Sequence, residues 1–140
     1  MDVAKYRAIF LEEASEHLEE MSRGLLELER DPARAEALDL VFRMAHSIKG
    51  MAASLGYDAI TEVAHRLEDR MQAARGAGRV DAQDLARLFA GLEGLEGMVA
   101  AVRDSGEAPA LPAGLLDALA APRAPDAASD RPKKKALRPR

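Results

Sequence analysis

Three residues of this 140-residue chain stand at a spacing that could do chemistry. His46, Lys49 and Gly50 occupy positions i, i+3 and i+4 of the stretch Ala45 to Ala52, which reads as helix, and residues so spaced share one helical face. The patch combines a nucleophile or ligand, a positive charge and a gap. Gly50 needs a reason, because glycine inside a helix costs about 1 kcal/mol relative to alanine. An anionic, bulky group approaching an imidazole would supply that reason, so the patch points to a phosphorylatable histidine. Such a ring needs one exposed, unprotonated nitrogen, an acceptor that holds the proton on the other nitrogen, and a cation to offset the added charge. His65 and Glu68, three apart on a later helix, lie beside its apolar stripe. If that helix packs against the one bearing His46, Glu68 reaches His46 and His65 completes the network. A helical histidine beside an apolar stripe is more often simply packed. Lys49 could snorkel, Glu68 could pair with Arg70 or Gln72, and His65 could lie on the surface. Matching spacings on two successive helices favour the functional reading. His17 has no such company and reads as structural.

The elements that must position these residues are helices. Val3, Tyr6, Phe10, Ala14, Leu18, Met21, Leu25 and Leu28 step by three and four, which predicts a first helix over 2–29 with Asp2 as its cap and Pro32 beyond its end. Leu38, Val41, Ala45, Ile48, Ala52 and Leu55 predict a second helix from residue 32 or 33 to 55, closed by Gly56 as a left-handed cap. His46 follows stripe member Ala45 by about 100° and should flank the core. Ile60, Val63, Leu67, Met71 and Ala74 predict a third helix over 58–75, capped by Asp58 and broken at Gly76-Ala77-Gly78. Leu85, Leu88, Leu92, Leu95, Val99 and Val102 predict a fourth over 81–104. On it Gly91, Gly94 and Gly97 mark either a close approach or an exposed face. The expected fold is all-α: an up-down-up-down antiparallel four-helix bundle over 2–104, with a short fifth helix over about 112–121 completing a domain of residues 1–121. Residues 122–140, rich in Pro, Ala, Lys and Arg, read as a disordered linker or tail.

Composition narrows the function. The chain has no Cys and no Trp, so disulfides, thiolate nucleophiles and Cys-ligated zinc are excluded and a reducing compartment fits. The first residues do not read as a signal peptide, and no apolar run approaches the ~20 residues of a membrane span, so a cytoplasmic, uninserted protein is expected. Residues 131–140 hold six of the 20 Lys and Arg and no acid, which leaves the first 130 with 14 basic against 24 acidic side chains. An acidic body argues against nucleic acid as a partner.

Residues 38–57, LDLVFRMAHSIKGMAASLGY, resemble the His-x-x-Lys-Gly signature of the histidine-containing phosphotransfer (HPt) family, in particular the domains of CheA-type chemotaxis kinases. FLEEASEHLEEMSRGLLELERDP and EVAHRLEDRM fit that family too, so the resemblance covers about residues 1–104. It implies that His46 is phosphorylated at Nε2, that Glu68 accepts the Nδ1 proton, that Lys49 lies beside the phosphoryl group, that His65 joins the network and that Gly50 keeps access open. It implies two partners: the ATP-binding kinase catalytic domain of a CheA-like protein, which phosphorylates the histidine in trans, and response regulators of CheY and CheB type, which take the phosphoryl group onto an aspartate. The bundle is expected to be monomeric and to work in receptor-associated signalling assemblies.

No Walker loop and no glycine-rich nucleotide lid appears in the sequence, so the segment is expected to be a phosphoryl carrier, not an enzyme by itself, and part of a protein histidine kinase. No intrinsic cofactor is expected: Mg and ATP would belong to the kinase domain, and Mg to the response regulator. Three rivals compete. A di-metal carboxylate bundle would use Glu62-x-x-His65 but needs a second copy of that motif. A sensor-kinase dimerisation domain would place Glu after its histidine, where this chain has Ser47. A non-catalytic helical scaffold explains the stripes but neither the gap at Gly50 nor the clustered polar flank.

Overall fold

In the computed structural model, which describes residues 2–120, five helices follow one another: α1 (Val3–Arg30), α2 (Ala35–Leu55), α3 (Asp58–Ala77), α4 (Ala82–Ser105) and α5 (Leu115–Ala120). The expected tail over 122–140 lies outside the described residues. The four long helices run up, down, up and down. Each packs on its sequence neighbours and α4 closes against α1, while α5 sits across α3 and α4. Short connections enforce this order, because a helix that turns back within a few residues must lie beside its predecessor.

Local chemistry sets the helix ends. The Asp2 carboxylate accepts from Lys5 N (3.2 Å) and Asp81 from Asp84 N (2.7 Å), each satisfying a first-turn donor that the helix leaves unpaired. α2 starts later than expected because a turn closes first: Asp31 Oδ1 accepts from Ala33 N (3.3 Å) and Asp31 O from Arg34 N (3.1 Å). Gly56 adopts φ 76°, and its own N–H and that of Tyr57 cap the carbonyls of Ala53 and Ala52. Asp58 is not the cap of α3 but its first residue. Tyr57 holds the cap position without a side-chain bond, and Asp58 instead places a negative charge in the first turn.

The predicted stripes form the core from Phe10 to Val102, with Leu55 and Leu85 half-buried at its margin. Val3 and Tyr6 depart from the expectation and are exposed. At about 1.5 Å per residue, the 28-residue α1 outruns the 21-residue α2. Arg7 Nη1 already meets the carbonyl of Gly106 just past the end of α4 (3.2 Å), so the stripe before it lies at the end of the bundle. The α4 glycines divide. A side chain at Gly91 would overlap Leu67 and one at Gly94 would overlap Leu115, whereas Gly97 faces open space. Close approach thus explains two of the three.

α5 is shorter than predicted, starting at Leu115 after a turn closed by Leu115 N to Pro112 O (3.2 Å). It is anchored from α3, where Arg70 bonds both the Leu119 carbonyl (2.5 Å) and the buried Asp84 carboxylate (2.8 Å).

Candidate functional site

His46 lies nine residues before the end of α2, and Glu68 ten residues after the start of α3. Because only Gly56 and Tyr57 separate the two helices, antiparallel packing brings these positions level. Their side chains meet: His46 Nδ1 lies 2.5 Å from Glu68 Oε2, and Lys49 Nζ donates to Glu68 Oε1 at 2.5 Å. The carboxylate is thus bridged between imidazole and ammonium, both from α2.

Exposure is graded across the cluster. The His46 side chain is 63% accessible and that of Glu68 11%. Burial pushes the Glu68 carboxyl up, but hydrogen bonds from Lys49 and His46, with their charges, outweigh it and hold the group below the usual carboxylate range. Glu68 is therefore ionised at neutral pH and can only accept hydrogen bonds. It follows that Nδ1 carries a proton, so that in the neutral ring the lone pair lies on Nε2. That tautomer is the one a nucleophilic Nε2 requires. As the ring gains positive charge during attack, a fixed anion already stands against its far side.

Gly50, one turn after His46, has no atom within 4 Å of where a Cβ would stand, so the helix surface beside the imidazole is open. Lys49 is tied to Glu68, not stretched toward solvent. His65 is not brought into the cluster: its Nε2 lies 3.6 Å from Asp69 Oδ2 on the same helix, at the surface. Glu62 takes Arg66 Nε (3.1 Å), so the Glu-x-x-His pair diverges. Among the described residues, no three His, Asp or Glu side chains gather as a metal site.

Several contacts at the site had no counterpart in the sequence reading. His17 Nε2 lies 3.0 Å from Ser47 Oγ and so ties α1 to the residue after His46. Phe42, one turn before His46, stacks its ring near the imidazole, and Arg75 from α3 covers that ring. The i, i+4 spacing of Phe42 and His46 was the available signal.

The Hpt domain family matches residues 5–105. The chemotaxis protein CheA of Bacillus subtilis is 38% identical over 108 residues, 76% of this chain and 16% of that protein. CheA of Halobacterium salinarum is 34% identical over 103 residues, 73% of the chain and 15% of that protein. The chain therefore spans about a sixth of these curated relatives. Among solved structures, the CheA phosphotransferase domain from Thermotoga maritima superposes with a TM-score of 0.68 at 30% identity, covering 74% of this chain and 98% of that one. A solution structure of the histidine phosphotransfer domain of CheA gives 0.73 at 28% identity, covering 82% and 89%.

Proposed function

The chain belongs to the Hpt domain family, and we propose that it serves as the phosphotransfer segment of a chemotaxis-type histidine kinase, with His46 as the carrier. An ATP-binding kinase domain would present the γ-phosphorus in trans. The Nε2 lone pair forms the N–P bond while the P–O bond to the departing ADP breaks. The proton stays on Nδ1, held by Glu68, whose charge offsets the cation developing in the ring. Lys49, bound to the other oxygen of Glu68, brings a positive charge close to the incoming phosphoryl oxygens. For discharge, a carboxylate oxygen of a response-regulator aspartate attacks phosphorus and the N–P electron pair returns to Nε2.

The observation that carries this reading is the bridged carboxylate, which leaves a lone imidazole nitrogen free on an accessible ring. A purely structural bundle gives no reason for it. We assign ATP and Mg to the partner domains, a reading that rests on the sequence having no Walker-type glycine-rich loop. The response regulators would be of CheY and CheB type. The mutual burial of the four stripes suits a monomer, and among the described residues no helix is long and apolar enough to cross a membrane. A cytoplasmic place in a receptor-associated assembly fits these features.

Intact-mass analysis after incubation with Mg-ATP and a CheA catalytic domain tests the reading. Wild type gains one acid-labile phosphoryl group and His46→Gln gains none. Labelling of His46→Gln would move the carrier elsewhere, and an unlabelled wild type would favour a scaffold.

A further inference from the structure

The hydrogen bond to Glu68 settles which nitrogen of His46 holds the proton, but one bond does not settle the plane of the ring. An imidazole held only at Nδ1 can pivot about that contact and swing Nε2 off the line of attack. Core packing does not prevent this, because the His46 side chain is 63% accessible. The restraint visible in the structure is Phe42. Its ring centroid lies 6.3 Å from that of His46 with only 13° between the planes, an offset parallel arrangement within the range where aromatic pairs attract.

Phe42 is itself held. Half-buried against the core on α2, it carries the Arg75 guanidinium 4.1 Å from its ring centroid. Arg75 is fixed in turn: its Nη2 lies 3.4 Å from Asp39 Oδ1 across the helix pair, and its Nη1 donates to Gln72 Oε1 at 3.2 Å. Asp39 also takes Arg43 Nε at 2.8 Å. A chain of contacts thus runs from Asp39 through Arg75 and Phe42 to the imidazole, on the turn of α2 opposite to Gly50.

We propose that Phe42 is a positioning residue for phosphoryl transfer: clamped from α3 by Arg75, it sets the plane of the His46 ring and so aims the Nε2 lone pair at phosphorus. The inference rests on the carrier reading above. Phe42 touches neither phosphorus nor donor. The step it serves is the formation of the Nε2–P bond with loss of ADP, and no proton passes through it.

The test compares wild type, Phe42→Leu, Phe42→Tyr and Arg75→Gln in single-turnover labelling. Two phosphodonors are used: a CheA catalytic domain with Mg-ATP, and phosphoramidate, which releases ammonia as its P–N bond breaks and offers no docking surface. Phe42→Leu should slow acceptance from both donors by about ten- to a hundredfold, the scale set by small misplacements of a reacting group. With the kinase domain the loss should fall on kcat, not KM. Phe42→Tyr keeps the flat face and should restore the rate, and Arg75→Gln should fall between. The ¹⁵N shifts of His46 should keep the Nδ1–H tautomer throughout, since Glu68 is untouched.

Phe42→Leu at the wild-type rate overturns the inference. So does a loss confined to the kinase domain and expressed in KM, which would make Phe42 a docking contact. Should Phe42→Leu fail to fold by circular dichroism, Arg75→Gln, at the surface, decides: slowed acceptance from phosphoramidate supports the inference and a wild-type rate overturns it. A wild type that takes label from neither donor removes the carrier reading and this inference together. Labelled wild type with unaffected variants removes this inference alone.

Discussion

Replacing Glu68 by glutamine or by alanine separates the two tasks assigned to its carboxylate. The amide of Glu68→Gln would still offer a carbonyl oxygen to Nδ1–H, so the tautomer survives while the negative charge is lost. Glu68→Ala would remove both. A hydrogen bond to a charged group contributes about 1.5–3 kcal/mol, against about 1 for a neutral one. Only the share that grows as the ring becomes cationic acts on the barrier. Assigning about 1–2 kcal/mol to that share gives about a five- to thirtyfold slower acceptance for Glu68→Gln, at about 1.4 kcal/mol per tenfold. Glu68→Ala should be slower again, but not dead, because Nε2 itself is unchanged. Rapid-quench labelling by a CheA catalytic domain with saturating Mg-ATP ranks the three proteins, with wild type expected fastest and the alanine variant slowest. Lys49 is 29% accessible and can turn its ammonium to water, so both variants should stay folded. Equal rates for wild type and Glu68→Ala would refute the electrostatic role. A glutamine variant as slow as the alanine one would refute the division between tautomer and charge.

Three further outcomes follow from named contacts. Gly97→Ala should raise stability by about 0.5–1 kcal/mol, since helix propensity improves into open space, whereas Gly91→Ala should lower it by about 1–2 kcal/mol as its methyl presses on the buried Leu67; urea melts of the pair check both signs. Gly50→Ala should likewise stabilise the bundle by about 1 kcal/mol, having nothing within 4 Å, yet slow transfer from the kinase domain by obstructing approach to His46; faster or equal transfer would show that the gap serves no partner. Glu68, whose pKa is lowered from 4.5, contributes stability that is present above that value and lost as pH falls through the lower folded value, so wild type should lose more melting temperature than Glu68→Gln as the pH is taken from neutral into acid, as followed by circular dichroism.

The helices were legible because their signals are local. A stripe repeating every three or four residues, an Asp before it and a Gly after it each act within one turn. The meeting of His46 and Glu68 was legible for a related reason: with two residues joining α2 to α3, positions equidistant from the turn must face each other. What escaped depends on neighbours distant in sequence. Val3 and Tyr6 continue a sound stripe, but they stand at the end of the bundle and stay exposed. Gly91, Gly94 and Gly97 look alike in the chain and are told apart only by Leu67 and Leu115. His65 was drawn toward the site by its spacing from Glu68, the same three-residue step that separates His46 from Lys49, yet its side chain lies at the surface. Asp69, four residues on from His65, offered it a nearer partner. Phe42 went unremarked because it stands off the stripe, although it shares a face with His46.

The central claim is that Glu68 holds the proton on Nδ1 and so makes Nε2 the phosphoryl acceptor. Two-dimensional ¹H–¹⁵N spectra of the His46 ring, recorded at neutral pH before and after phosphorylation, address it directly. The expected result is an Nδ1–H tautomer in the free protein and an Nε2–phosphorus bond in the labelled one. An Nε2–H tautomer at rest, or phosphorus on Nδ1, would contradict it.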